Sequence, residues 1–210
     1  MWMHTAKHLP CSMNYLAHAY LSFGMADVLV GNLISDFVKG KQQYTYNHRI
    51  WCGIRLHRFI DTYTDAHEAT KQAKTYLQPS AGRYAGAFVD VVYDHFLAQQ
   101  LASNQQLHTT VQYCYQSLLL QQHLLPERFA TMLPHMIQHN WLGNYQHLWA
   151  MEKSFGGVVR RSSYLTDASP VYTAFVKHYD ALKTCYQAFF PMVNKSAASF
   201  LVDCLAMQSH

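Results

Sequence analysis

The stretch Gly53-Ile54-Arg55-Leu56-His57-Arg58-Phe59-Ile60-Asp61-Thr62-Tyr63-Thr64-Asp65 reads as a helix, and a helix puts His57, Asp61 and Asp65 on one stripe at i, i+4 and i+8. Period-3.6 hydrophobic patterns of the same kind recur along the chain. No run of strict apolar–polar alternation bounded by turn residues interrupts them, so the fold class is read as all-α, a single-domain helical bundle. Helices are expected near 14–23, 26–40, 47–66, 67–77, 82–103, 108–123, 126–138, 144–161 and 169–208, the last broken at Pro191. Ser169-Pro170 offers an N-cap hydroxyl followed by proline at the first helical position, and Pro126 can open a helix in the same way. Gly40 reads as a helix stop, which leaves Lys41 to Tyr46 as a loop.

A chain of 210 residues that is 50% hydrophobic can bury one sizeable core. Charged residues are only 13%, and 14 His with 15 Tyr carry much of the polarity instead. The formal charge of +4 favours an acidic partner or an anionic substrate, but no Lys/Arg run is dense enough to form a nucleic-acid arm. Cys11, Cys52, Cys114, Cys185 and Cys204 are odd in number and hold no C-x-x-C pair, which argues against a disulfide framework and a zinc knuckle. A reducing cytoplasm is therefore expected. No membrane insertion is expected, because no apolar stretch is long enough to span a bilayer and the first residues lack a signal peptide's apolar segment. Residues 1–12 read as an N-terminal extension expected to be poorly ordered, and 13–210 as the helical domain.

Four segments could carry chemistry. His57, Asp61 and Asp65 form a plausible metal-ligand stripe, against which stands a solvated face with a simple His–Asp pair. In Asp90-Val91-Val92-Tyr93-Asp94-His95-Phe96-Leu97 an Asp–His pair interrupts an apolar helix, where ionisable residues need a partner. A metal would supply one; so would an arginine for Asp94 and a satisfied core position for His95. In Gly31-Asn32-Leu33-Ile34-Ser35-Asp36-Phe37-Val38-Lys39-Gly40, Asn32 and Asp36 share a face, and Asn14-Tyr15-Leu16-Ala17-His18 contributes His18 within a hydrophobic run. Together His18, Asp36, His57, Asp61, Asp94 and His95 are oxygen and imidazole donors without a thiolate. Such a set suits Mn²⁺, Mg²⁺ or Fe²⁺ better than a structural zinc.

These four segments, with Tyr93-Asp94-His95-Phe96-Leu97 as the last, resemble in order and spacing the successive motifs of the acyl carrier protein phosphodiesterase family. His178-Tyr179-Asp180-Ala181-Leu182 and Phe189-Phe190-Pro191 extend the likeness, which runs from about Met13 to Pro191. Arg55 departs from the family, standing where some relatives carry histidine. The resemblance implies an HD-domain-like helical phosphohydrolase and a divalent metal, with manganese preferred. It also implies hydrolysis of the phosphodiester that joins 4′-phosphopantetheine to a serine of holo-acyl carrier protein. On that reading His57, Asp61 and Asp94 are the first expected ligands and Asp36 and His95 the next. His18 or His95 is the expected general acid, with Asp65 a further catalytic candidate. Lys39, Lys41, Arg49, Arg55 and Arg58 would form a basic rim that steers the acidic carrier, with Asn32 on the substrate side. Two other readings stay open: an HD-like phosphohydrolase acting on a nucleotide or other small phosphodiester, and a non-catalytic histidine-rich helical binding protein.

Overall fold

In the computed structural model residues 15–207 are described, and every regular element among them is helical. In chain order these are α1 (Tyr15–Tyr20), α2 (Ala26–Ile34), α3 (His48–Ala66), α4 (Glu68–Ala81), α5 (Ala85–Ser103), α6 (Leu107–Leu120), α7 (Glu127–Gln138), α8 (Trp141–Asn144), α9 (Leu148–Arg161), α10 (Ser169–Lys177) and α11 (Tyr179–Ala206). The expected all-α class is therefore what the chain adopts. The expectation for residues 1–12 lies outside the described residues, as does Cys11.

Helix α5 is apolar on nearly every side, the pattern of a helix surrounded by others. It packs against α1, α4, α6, α9 and α11, and one core runs through all of them. Phe88, Phe129, Phe155 and Phe175 are among the largest side chains fully removed from water. The closest helix crossing is that of α2 with α3. A methyl group on Gly31 would overlap the carbonyl oxygen of Ile50, and one on Gly53 would overlap that of Val28. Two glycines thus let the backbones touch, and this contact sets the distance between the residues that follow each of them.

Several element boundaries differ from the sequence reading. Helix 26–40 is shorter: α2 ends at Ile34 and continues as a 3₁₀ turn, Ser35–Phe37, while Gly40, at φ 55°, starts a second 3₁₀ segment, Gly40–Thr45, in place of the expected loop. The final helical stretch breaks at His178, not at Pro191, which lies inside a continuous α11. The carbonyl that Pro191 leaves without a donor is that of Gln187, and both residues are exposed, so water can serve it. Phe189, Phe190 and Val193 are buried around this point and hold the helix against the core. Nor does Ser169 cap α10. It is the first helical residue, and its backbone N–H donates to Asp167 Oδ1 at 2.9 Å.

No helix among the described residues is long and apolar enough to cross a membrane. Cys52, Cys114, Cys185 and Cys204 are buried free thiols.

Candidate metal centre

Three elements bring four predicted side chains to one point. α1 supplies His18, the 3₁₀ turn after α2 supplies Asp36, and α3 supplies His57 and Asp61 one turn apart. The His18 and His57 rings stack with centroids 4.1 Å apart and planes 19° from parallel. His18 Nε2 lies 3.3 Å from Asp61 Oδ1, while His57 Nε2 lies 3.2 Å from both Asp61 Oδ2 and Asp36 Oδ1. One donor atom from each of His18, His57 and Asp61 falls within 4.8 Å of the others, a spacing that can hold a metal ion.

The histidines are buried and the carboxylates partly open, so the cluster forms one end of a cleft of about 480 Å³. Asp36, Asp61, Asp65 and Asp90 line that cleft together with Lys74, Gln78 and Arg83. Burial would by itself lower the pKa of His57, but its hydrogen bonds with Asp36 and Asp61 overcome this and raise it from 6.5 to about 10. For Asp61, too, burial pushes upward and loses: the His18 and His57 imidazoles beside it hold it well below the usual carboxylate range. His18 is lowered, first by burial and then by the neighbouring His57 charge. Asp90 is raised well above the usual range, first by burial and then by the negative charge of Asp61 and Asp65. Four carboxyl groups thus share the cleft lining with two cationic side chains, Lys74 and Arg83.

These shifts predict how the metal-free protein responds to pH. A folded pKa raised above the unfolded value adds stability that is complete below about pH 6.5 and disappears as pH rises through about 10. The depressed Asp61 adds stability present above about pH 3.8 and lost as pH falls through its folded value. Thermal unfolding in chelator should show the contribution of His57 and its carboxylate partners greatest from about pH 4 to 6.5 and falling toward pH 10, with the lowered His18 acting against it below about pH 6.5. A difference between wild type and Asp36→Asn that stays flat across that range would contradict the assigned pairing.

The other predicted residues lie elsewhere, with clear physical reasons. Asp94 is fully buried, and its carboxylate accepts the backbone N–H groups of Leu16 at 3.1 Å and Ala17 at 2.8 Å. It serves the start of α1, where a helix leaves N–H groups without internal partners, and it does not join the His–Asp cluster. His95 is likewise buried, its Nδ1–H donating to the Tyr145 carbonyl at 2.6 Å and its Nε2 lying 2.9 Å from the Tyr179 hydroxyl. Adjacent residues on a helix point about 100° apart, and the two leave in different directions. Asp65 stands on the cleft wall, exposed and paired with Lys74 at 2.7 Å. Asn32 is completely buried against His18, out of reach of any substrate.

Of the expected basic rim, Lys39 shares a smaller cleft with Asp36, Phe37 and Arg128, and Lys41 and Arg49 are exposed. Arg58 donates to Gln43 at 2.9 Å. Arg55 leaves the rim: its guanidinium sits 4.8 Å over the Trp51 ring and 5.8 Å over Phe200, because two residues along a helix from His57 is nearly the opposite face. Asp90, Lys74 and Arg83 are cleft residues that the sequence reading missed. Asp90 stood one turn before Asp94 within a segment already singled out, whereas nothing in spacing or composition pointed to Lys74 or Arg83.

Comparison with known proteins places the chain in a family. The family described as acyl carrier protein phosphodiesterase matches residues 13–193. An acyl carrier protein phosphodiesterase of Klebsiella pneumoniae (strain 342) is 32% identical over 188 residues, 88% of this chain and 97% of that protein. One from Yersinia pestis is 31% identical over the same length and coverage, and one from Escherichia coli O139:H28 is 29% identical over 189 residues, 89% of this chain and 98% of its own. No solved structure matches. The chain belongs to the acyl carrier protein phosphodiesterase family.

Proposed function

We propose that this protein hydrolyses the phosphodiester between 4′-phosphopantetheine and the serine of holo-acyl carrier protein, using a divalent ion held by His18, His57 and Asp61 with Asp36 beside them. The observation that carries the reading is the convergence of donor atoms of His18, His57 and Asp61 within 4.8 Å beside an open cleft lined by four carboxyl groups. The donor set fits a cation. His18 Nε2 is buried without a hydrogen-bond partner, and Asp90 is raised first by burial and then by negative charge that a cation would relieve. Nitrogen and carboxylate donors without thiolate suit Mn²⁺, Mg²⁺ or Fe²⁺, and the preference for Mn²⁺ is what the family resemblance implies. The HD-domain-like reading of the centre is proposed on the motif resemblance.

A divalent ion in this position supplies a water of lowered pKa and counter-charge for the phosphoryl oxygens. The chain's own residues orient the reaction. Lys74 and Arg83 place positive charge along the cleft where the phosphodiester would lie. As the P–O bond to serine breaks, the leaving oxygen needs a proton. His95 is enclosed in the core, and His18 is held below its ordinary pKa, so neither is the donor. Asp90 faces the cleft with its carboxyl raised above the usual range, first by burial and then by Asp61 and Asp65, and we assign that role to it. Asp90→Asn should then lower kcat about 100-fold, within the usual range for a general acid, while Mn²⁺ affinity holds. A parallel fall in Mn²⁺ affinity would make Asp90 a ligand instead.

The function itself is tested by incubating holo-acyl carrier protein with the enzyme and Mn²⁺ and following intact mass. The carrier should lose the phosphopantetheine mass. An unchanged carrier, alongside turnover of a nucleotide or another small phosphodiester, would move the substrate assignment elsewhere in the same chemistry. Lys39, Lys41, Arg49 and Arg128 are proposed as the carrier-facing cations, a steering role that high salt should weaken.

A further inference from the structure

The buried amide of Asn32 has an orientation that its own donors decide. Its Nδ2 group donates to the His18 carbonyl at 2.8 Å and to Ser22 Oγ at 3.1 Å, and Ser22 Oγ in turn donates to the same carbonyl at 2.8 Å. A carbonyl oxygen can only accept, so the nitrogen of the amide must face it. Asn32 Oδ1 is thereby turned to the His18 ring, 2.7 Å from Nδ1. An amide oxygen is also only an acceptor, so the hydrogen in that contact belongs to His18 Nδ1. Asn32, Ser22 and His18 are all at or below 1% exposure, and no water competes for these bonds.

We infer that Asn32 is a positioning residue: it locks His18 into the Nδ1–H tautomer and so keeps the Nε2 lone pair free to bind a metal. The surroundings of Nε2 agree. This atom is buried with no hydrogen-bond donor, yet it faces Asp61 Oδ1 at 3.3 Å. Two acceptors aimed at one another across that gap repel unless a cation lies between them. The side chain that orients the ring on its far nitrogen therefore also decides that the near nitrogen is a ligand atom. Asn32 reaches His18 because α2 carries it against α1, and it is not among the residues that line the cleft, so its effect on substrate is only through His18.

The inference rests on reading the cluster as a metal site, and the experiment separates the two. In chelator-treated protein labelled with ¹⁵N-histidine, His18 Nε2 should give the signal of an unprotonated nitrogen and Nδ1 that of a protonated one. A protonated Nε2 in the neutral ring overturns the inference whether or not metal binds. Failure of wild type to take up Mn²⁺, by contrast, overturns the metal site. Two variants then split stability from affinity. Asn32→Leu fills the space but offers no acceptor, and it should weaken Mn²⁺ binding roughly 10–100-fold, the usual effect of losing the partner of a ligating histidine. Asn32→Asp keeps an acceptor for Nδ1–H while burying a charge, so it should melt lower than Asn32→Leu yet bind Mn²⁺ more tightly. Affinity that follows melting temperature in both variants, or wild-type affinity in Asn32→Leu, would reduce Asn32 to a structural residue.

Discussion

Asp61→Ala and His57→Ala should fold with native helical content and fail to release phosphopantetheine from holo-acyl carrier protein. Asp61 offers one oxygen to the His18 side of the cluster and the other to His57, so its removal takes away a ligand and unpairs both rings. The loss should exceed the roughly 10–100-fold typical of a residue that merely supports a ligand. Helical content should survive because Asp61 is partly exposed at the cleft and fills no space in the core. In Asp61→Ala the pKa of His57 loses one of its two supporting carboxylates and should fall from about 10. Exhaustive chelation of wild type should silence the enzyme in the same way, with recovery on adding Mn²⁺. Near wild-type turnover by either variant at saturating Mn²⁺ would remove that residue from the centre, and full activity after chelation would end the metal mechanism.

Gly53→Ala should cost more stability than its size suggests. The added methyl would overlap the Val28 carbonyl oxygen and crowd the Asn32 nitrogen, both backbone atoms of α2 that cannot rotate aside. Overpacking of this kind costs about 3 kcal/mol or more. For a chain of this size each kcal/mol shifts the melting point about 2–4 °C, so a fall of roughly 10 °C is expected. Activity should drop as well, because α2 and α3 cannot part without moving Asp36 and Asn32 away from His57 and His18, and a shift of about 1 Å can cost roughly 100-fold. Gly86→Ala is the control: its methyl would meet only the flexible end of Lys74, which can move. Equal melting points for Gly53→Ala and wild type would show that the α2–α3 contact is looser than described.

The helical class was legible because amphipathic spacing is local, and the i, i+4 pair His57 and Asp61 was legible for the same reason: one turn of helix decides which side chains are neighbours. His18 and Asp36 were nominated as an imidazole and a carboxylate within apolar segments, and the fold brings both to that pair. At Asp94 and His95 local spacing left two readings open, a metal or a structural partner. Their chemistry is that of ligands, but whether an acidic side chain meets a metal or the start of another helix depends on what packs above it, and here α1 does. Pro191 misled for a related reason: proline weakens a helix everywhere, but an exposed carbonyl and a buried flank can carry the helix through.

By itself the sequence determined that the chain is helical, that its chemistry is one of imidazole and carboxylate without thiolate, and which single turn of helix holds the central pair. These are properties of composition and of periods shorter than two turns. Only the tertiary structure decided that His18 and Asp36 join that pair while Asp94 and His95 do not, that Lys74, Arg83 and Asp90 share the cleft, and that Asn32 faces inward to His18 rather than outward to substrate. Each of those outcomes depends on how closely α2 approaches α3 and where α1 crosses α5. Backbone contact at Gly31 and Gly53 governs the first, and no spacing along a single helix encodes it.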